Sequence, residues 1–190
     1  EIMPSLVGSE MCIRDRHNVP MLSLQDVFDR GEVENFVAEM KKQLDDPEFV
    51  VEYKIDGLSL SLRYEYGELK LAETRGDGIQ YGEDVTANAK VIRDVKKKLK
   101  DKPEYLEIRG EVYMTEADFE KVNEKQELLG KKLFANPRNC AAGTLRQLDT
   151  AVTKERGLSM FIFNIQDARG ISFETHTEGY ESVSYTHLRA

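Results

Sequence analysis

Leu58-Ser-Leu-Ser-Leu-Arg-Tyr-Glu-Tyr-Gly-Glu-Leu-Lys-Leu-Ala-Glu-Thr74 is the stretch on which the fold turns. Leu58, Leu60, Leu62, Tyr64 and Tyr66 alternate with Ser59, Ser61, Arg63 and Glu65, the period of a strand with one buried and one polar face. Gly67-Glu68 is expected to turn that strand back into Leu69–Thr74, giving an antiparallel hairpin. Upstream, Val33, Phe36, Val37, Met40 and Leu44 fall three and four apart, the face of a helix begun by Asp29 with Glu32 and ended by Pro47. Between the two, Phe49-Val-Val-Glu-Tyr53 reads as a further strand joining the same sheet. Downstream, Asp84 caps a short helix through Ala87–Ile92, and Leu106–Met114 is a strand. Thr115 and Asp118 form a capping box for a helix that Gly130 stops, and Leu158–Ile165 is a buried strand. Hairpins with helices between them predict an α+β fold with mixed, largely antiparallel sheets and flanking helices.

Composition bounds the partners. The chain has 190 residues, 40% hydrophobic and 33% charged, with a mean hydropathy of −0.53 and no apolar run near membrane-spanning length. No membrane partner is expected. A net charge of −8 argues against a surface built as a whole to coat a polyanion, so any phosphate-binding charge must be local. The basic run from Arg93 to Lys102 reads as a solvated loop or helix end, with local contact to DNA phosphates as the alternative. Two cysteines, Cys12 and Cys140, supply neither a disulfide framework nor zinc spacing, which suits a reducing, cytoplasmic setting.

The chemistry begins at Glu52-Tyr-Lys-Ile-Asp-Gly57. Lys54 stands where an apolar run gives way to a glycine-closed turn, and a lysine becomes a nucleophile once its surroundings favour the neutral amine. Lys-x-Asp-Gly alone is weak, since average residue frequencies place it in about one chain in twenty of this length. Three further strings strengthen it. In Thr74-Arg-Gly-Asp-Gly78, followed by Gly82-Glu-Asp-Val-Thr86, the glycines let backbone approach a flat or phosphorylated ligand and Arg75 supplies a planar cation. In Leu106-Glu-Ile-Arg-Gly-Glu-Val-Tyr113, Arg109 and Glu111 share one strand face. The last, Phe134-Ala-Asn-Pro-Arg-Asn-Cys-Ala-Ala-Gly-Thr-Leu-Arg-Gln-Leu-Asp149, is too particular for a generic loop-to-helix junction.

Together these strings, with Val19-Pro-Met-Leu-Ser-Leu24, resemble the adenylation domain of bacterial NAD-dependent DNA ligases from about His17 through Gly170. The Lys-x-Asp-Gly element is shared with ATP-using relatives, whereas the Thr-Arg-Gly-Asp-Gly and Asn-Pro-Arg-Asn strings resemble the NAD-using branch. The resemblance implies a nucleotidyltransferase (ATP-grasp-like) ligase core. It implies that Lys54 attacks the adenylyl phosphorus of NAD, expels nicotinamide mononucleotide and holds AMP as a phosphoramidate. Burial and a nearby cation such as Arg75 would favour the neutral amine, and magnesium or manganese would offset phosphate charge. By the same match Glu52 accepts a hydrogen bond from the adenine amino group, Ser23 and Leu24 contact the nucleotide, and Arg75 and Glu111 hold the ribose and its surroundings. Asp56 orients the lysine loop or the metal. AMP then passes to the 5′-phosphate at a nick in double-stranded DNA, for roles in replication and repair of DNA damage, and a 3′-hydroxyl displaces it. The protein is expected to act as a monomer.

The chain also departs from that pattern. Gly78-Ile-Gln-Tyr-Gly82 looks one residue longer than the usual loop, and the phosphate-neutralising lysines of two later strands are missing, so the core is expected to be incomplete at its C-terminal side. The small N-terminal domain, the OB-fold, the zinc module and the helical DNA-binding units of the family are not expected within these residues, so zinc and most DNA contact are expected to lie outside them. Residues 1–16 and 183–190 lack any periodicity and resemble translated adaptor sequence. The organisation expected is therefore a non-native or disordered leader (1–16), a partial adenylation domain (17–182) and a similar tail (183–190). Such a fragment is expected to seal no nicks and to expose an unpaired sheet edge. Two other readings stand beside this one: an ATP-dependent ligase or capping-type nucleotidyltransferase, and a non-catalytic remnant or binding module.

Overall fold

The computed structural model describes residues 14–21, 24–76 and 81–185. They fall into two units, one of residues Leu22–Lys54 and one of Glu1–Met21 with Ile55–Ala190. In chain order the elements are β1 (Arg14–Arg16), α1 (Arg30–Gln43), β2 (Leu58–Glu65), β3 (Glu68–Thr74), β4 (Tyr81–Glu83), α2 (Thr86–Ala89), β5 (Tyr105–Tyr113), α3 (Glu116–Leu128), α4 (Pro137–Leu145), α5 (Thr150–Arg156), β6 (Ser159–Arg169) and α6 (His176–Tyr185).

The smaller unit is built around α1. Asp29 Oδ1 accepts from the Glu32 N–H at 2.9 Å, the helix start expected, and Glu32 Oε2 accepts from the N–H of Phe28, one residue before the cap, at 2.6 Å. The helix ends at Gln43, before Pro47. Residues 49–53 form no strand, contrary to the sequence reading. Phe49 instead packs edge-to-face on Phe36 of α1, with ring centroids 6.2 Å apart. In the other unit both flanks of β2 are already taken, by β3 and β5, so that strand has no free edge to offer the upstream run.

The larger unit holds an antiparallel sheet of four strands in the order β3-β2-β5-β6, and a small sheet of β1 with β4. The β2–β3 turn is Tyr66-Gly67, with φ of 50° and 78°, and Glu68 already belongs to β3. Positive φ at both turn residues matches the twist of the flanking strands. Between Arg63 and Tyr64 the register slips by one residue of β3, so Leu69 lies opposite Tyr64 on the buried face.

Two faces follow from the alternation in β2. Leu60, Leu62 and Tyr64 are fully buried with Ile108, Val112, Met160 and Ile162, and α2 and α4 add Ala89, Cys140, Ala141 and Leu145 to the same core. Each buried leucine, isoleucine, valine or methionine among them contributes roughly 1.5–3 kcal/mol. Thr115 caps α3 as expected, and Gly130 ends it at φ 64°. The basic stretch is a loop whose Leu99 is buried and whose Lys98 pairs with Glu68. β1 and α6 are the first and last elements of the described residues, and Val183 of α6 is buried. Among the described residues no helix is long and apolar enough to cross a membrane.

Candidate active site

The second face of the sheet carries charge. Ser59, Ser61 and Arg63 of β2, Glu73 of β3, and Glu107, Arg109 and Glu111 of β5 project from it, and residues 16–20 run across it. Glu73 and Glu107 are almost wholly buried. Arg63 pairs with Glu73 at 2.5 Å and with Glu107 at 3.5 Å, and Ser61 and Tyr105 donate to Glu107 at 3.2 and 2.9 Å. Buried carboxylates persist only when paired and hydrogen-bonded, and here each is. Arg109 donates to the carbonyls of Pro20 and Val19 at 3.0 and 2.7 Å, fixing the segment that leads into Leu22-Ser23-Leu24. Burial pushes its guanidinium below the usual arginine range, while Glu107 and Glu73 work the other way.

At the open end of this face three strands line up. The Arg75 N–H reaches the Ser59 carbonyl at 3.3 Å, and the Ser59 hydroxyl donates to Glu111 Oε2 at 2.8 Å, Ser59 and Glu111 being register partners. Arg75 and Glu111 thus flank Ser59, about two strand spacings (~10 Å) apart. Asp56 precedes β2 and accepts from Arg138 Nη1 at 3.0 Å. Between them Gly57 is sterically required: a Cβ there would lie 2.1 Å from the Val112 carbonyl oxygen. The glycine of Lys-x-Asp-Gly is thus where the chain docks against β5.

Of the expected site residues, the structure brings Asp56, Arg75 and Glu111 to one end of one sheet. Leu24, Glu52 and Lys54 belong to the smaller unit and are exposed, so the burial expected of Lys54 is not found. It sits on an irregular stretch rather than at the end of a packed strand. Ser23 lies outside the described residues, as do residues 77–80 of the loop that looked one residue long. Sequence reasoning missed Ser59, Arg138, and Arg146, which pairs with Glu83 at 2.5 Å. A signal for the first arginine was available. Asn136 caps α4 by accepting from the Asn139 N–H, and Pro137 follows at the first helical position, a helix start that places Arg138 in the first turn.

An antiparallel sheet with one dry face and one charged face, entered through Lys-x-Asp-Gly, is consistent with the core of a nucleotidyltransferase-type ligase. The family model "NAD-dependent DNA ligase adenylation domain" matches residues 12–189, and the chain belongs to that family. Its relatives include a protein named DNA ligase from Clostridium kluyveri, 53% identical over 89% of this chain and 25% of that protein. Others of that name are from a Thermoanaerobacter species (53% over 88% of this chain, 25% of the relative) and Acetivibrio thermocellus (54% over 87%, 25% of the relative). The chain spans about a quarter of the length of these curated relatives.

Proposed function

We propose that the chain supplies the lysine that accepts AMP from NAD, for transfer to the 5′-phosphate at a nick in duplex DNA. The observation that carries this is the row Arg75–Ser59–Glu111 across three strands, beside Asp56 and Arg138. It offers a planar cation, a hydroxyl and a carboxylate at the end of the sheet where Lys-x-Asp-Gly enters. Such a set can bind a ribose and its phosphate.

In this reading the Lys54 amine forms a P–N bond to the adenylyl phosphorus. The P–O bond to nicotinamide mononucleotide breaks and the amine gives up a proton. Glu52 reads the adenine amino group, Ser23 and Leu24 line the nucleotide, and Arg75 and Glu111 hold the ribose. Asp56, fixed by Arg138, orients the lysine loop. The 5′-phosphate oxygen of the nick then attacks the same phosphorus and frees the lysine, and the 3′-hydroxyl displaces AMP to join the strand. Magnesium binds mainly through substrate phosphates, water and one or two carboxylates. Among the described residues no group of three or more metal-ligating side chains gathers, so no residue here is assigned to it. The work is cytoplasmic and monomeric in this reading, serving replication and repair.

The test is incubation with NAD labelled in its adenylate, followed by denaturation and a search for acid-labile label on the chain. Lys54→Ala should lose all of it, and label surviving in that variant would sink the assignment. ATP replacing NAD as donor would point to the ATP-using branch instead.

A further inference from the structure

One imidazole grips both stems of the loop that joins β3 to β4. His17 is buried, its Nδ1 2.7 Å from Glu73 Oε1 and its Nε2 2.9 Å from the Arg75 carbonyl oxygen. Its Cε1 lies 2.9 Å from where a side chain on Gly82 would begin. Glu73 and Arg75 belong to the outgoing stem and Gly82 to the returning one, in β4, which β1 flanks just before His17.

Both ring nitrogens therefore face acceptors. A neutral imidazole has one N–H, so which of the two contacts it donates to depends on the tautomer. Arg63 donates to the same Glu73 oxygen and also pairs with Glu107, which in turn meets Arg109 and Tyr105.

The contact to Arg75 falls where the sheet gives out. The Arg75 N–H reaches Ser59 at 3.3 Å, the long end of hydrogen-bond geometry, and Gly76 turns the chain away at φ 54°. On the carbonyl side of Arg75 stands His17 Nε2, at 2.9 Å. We propose that His17 is a positioning residue for nucleotide binding: its Nε2–H fixes the Arg75 peptide and so aims the Arg75 guanidinium. This rests on Arg75 being a nucleotide contact, as proposed above.

Two substitutions separate this from a merely structural role. His17→Gln places an amide nitrogen near the position of Nε2 and can still donate to Arg75. His17→Asn places one near Nδ1 and can still donate to Glu73. Two readouts apply: the KM for NAD in AMP transfer to Lys54, and amide hydrogen exchange at Arg75 and Gly76. His17→Ala should raise KM about tenfold, the size of one lost hydrogen bond to a binding group, and speed exchange. His17→Gln should recover both, and His17→Asn neither. Equal recovery by Asn and Gln, or no effect of any variant on either readout, overturns the proposal.

If the unsubstituted chain takes up no AMP, the nucleotide reading fails, while exchange at Arg75 still decides whether His17 holds that peptide. If the variants do not fold, nitrogen-15 spectra of the unsubstituted imidazole decide. A proton on Nε2 supports the contact, and a bare Nε2 overturns it.

Discussion

Glu73 is the residue on which the charged face depends. One of its oxygens receives both His17 and Arg63, and Oε2 has no hydrogen-bond partner among the described residues. Removing one member of a buried pair strands the others without counter-charge, at a cost of roughly 3–5 kcal/mol. Glu73→Ala should therefore lower the urea midpoint of unfolding severely. Glu73→Gln, which keeps the shape and one acceptor, should cost less. Equal midpoints for Glu73→Ala and the parent chain would mean that the pair is a passenger. Nothing in the sequence marked this glutamate. It reads as one polar position of a period-two strand, and only the approach of His17, 56 residues away in sequence, turns it into a buried ion-pair centre.

At the scale of elements, α4 and α5 are pinned to α2 by a single side chain. Asn88 donates to the carbonyls of Leu145 and Gln147, both at 2.8 Å, and accepts from the Thr153 hydroxyl at 3.0 Å. Asn88→Ala takes this donor from the Leu145 and Gln147 carbonyls, at about 1–3 kcal/mol. Amide exchange through α4 and α5 should quicken while β2 and β5 keep their protection. Uniform quickening across the sheet would contradict this local role. The hairpin, the N-caps of α1 and α3, and the strands near 106–114 and 158–165 were legible in the sequence because neighbours three, four or two residues apart create them. The absence of a strand at 49–53 and the small β1–β4 sheet were not, since both depend on long-range partners. The site divides in the same way. Asp56, Arg75 and Glu111 announce themselves through motifs, whereas Ser59 and Arg138 acquire their significance from what β5 and α4 bring alongside.

For the whole molecule, alkaline pH probes the same buried face. Burial, and then the hydrogen bond to Glu107, push the Tyr105 phenol from its ordinary 10.0 up to about 12. The folded state thus holds this proton more tightly than the unfolded chain. The stabilisation is complete below pH 10 and disappears as pH climbs through about 12. Urea unfolding followed across that window should show stability falling with pH, and Tyr105→Phe should flatten the fall. Tyr64, which burial also pushes upward, would lose its proton later still. An unchanged slope in Tyr105→Phe would assign the fall to other groups.

The grip of Arg109 on Val19 and Pro20 has a kinetic side. Residues Leu22–Lys54 leave the larger unit just after this clamp and return to it at Ile55, so the segment is a closed excursion anchored at both ends. Lys54 stands at its returning anchor, two residues before Asp56. Because both ends of the excursion are covalently joined to the larger unit, any encounter between its residues and that unit is intramolecular, with a rate independent of protein concentration.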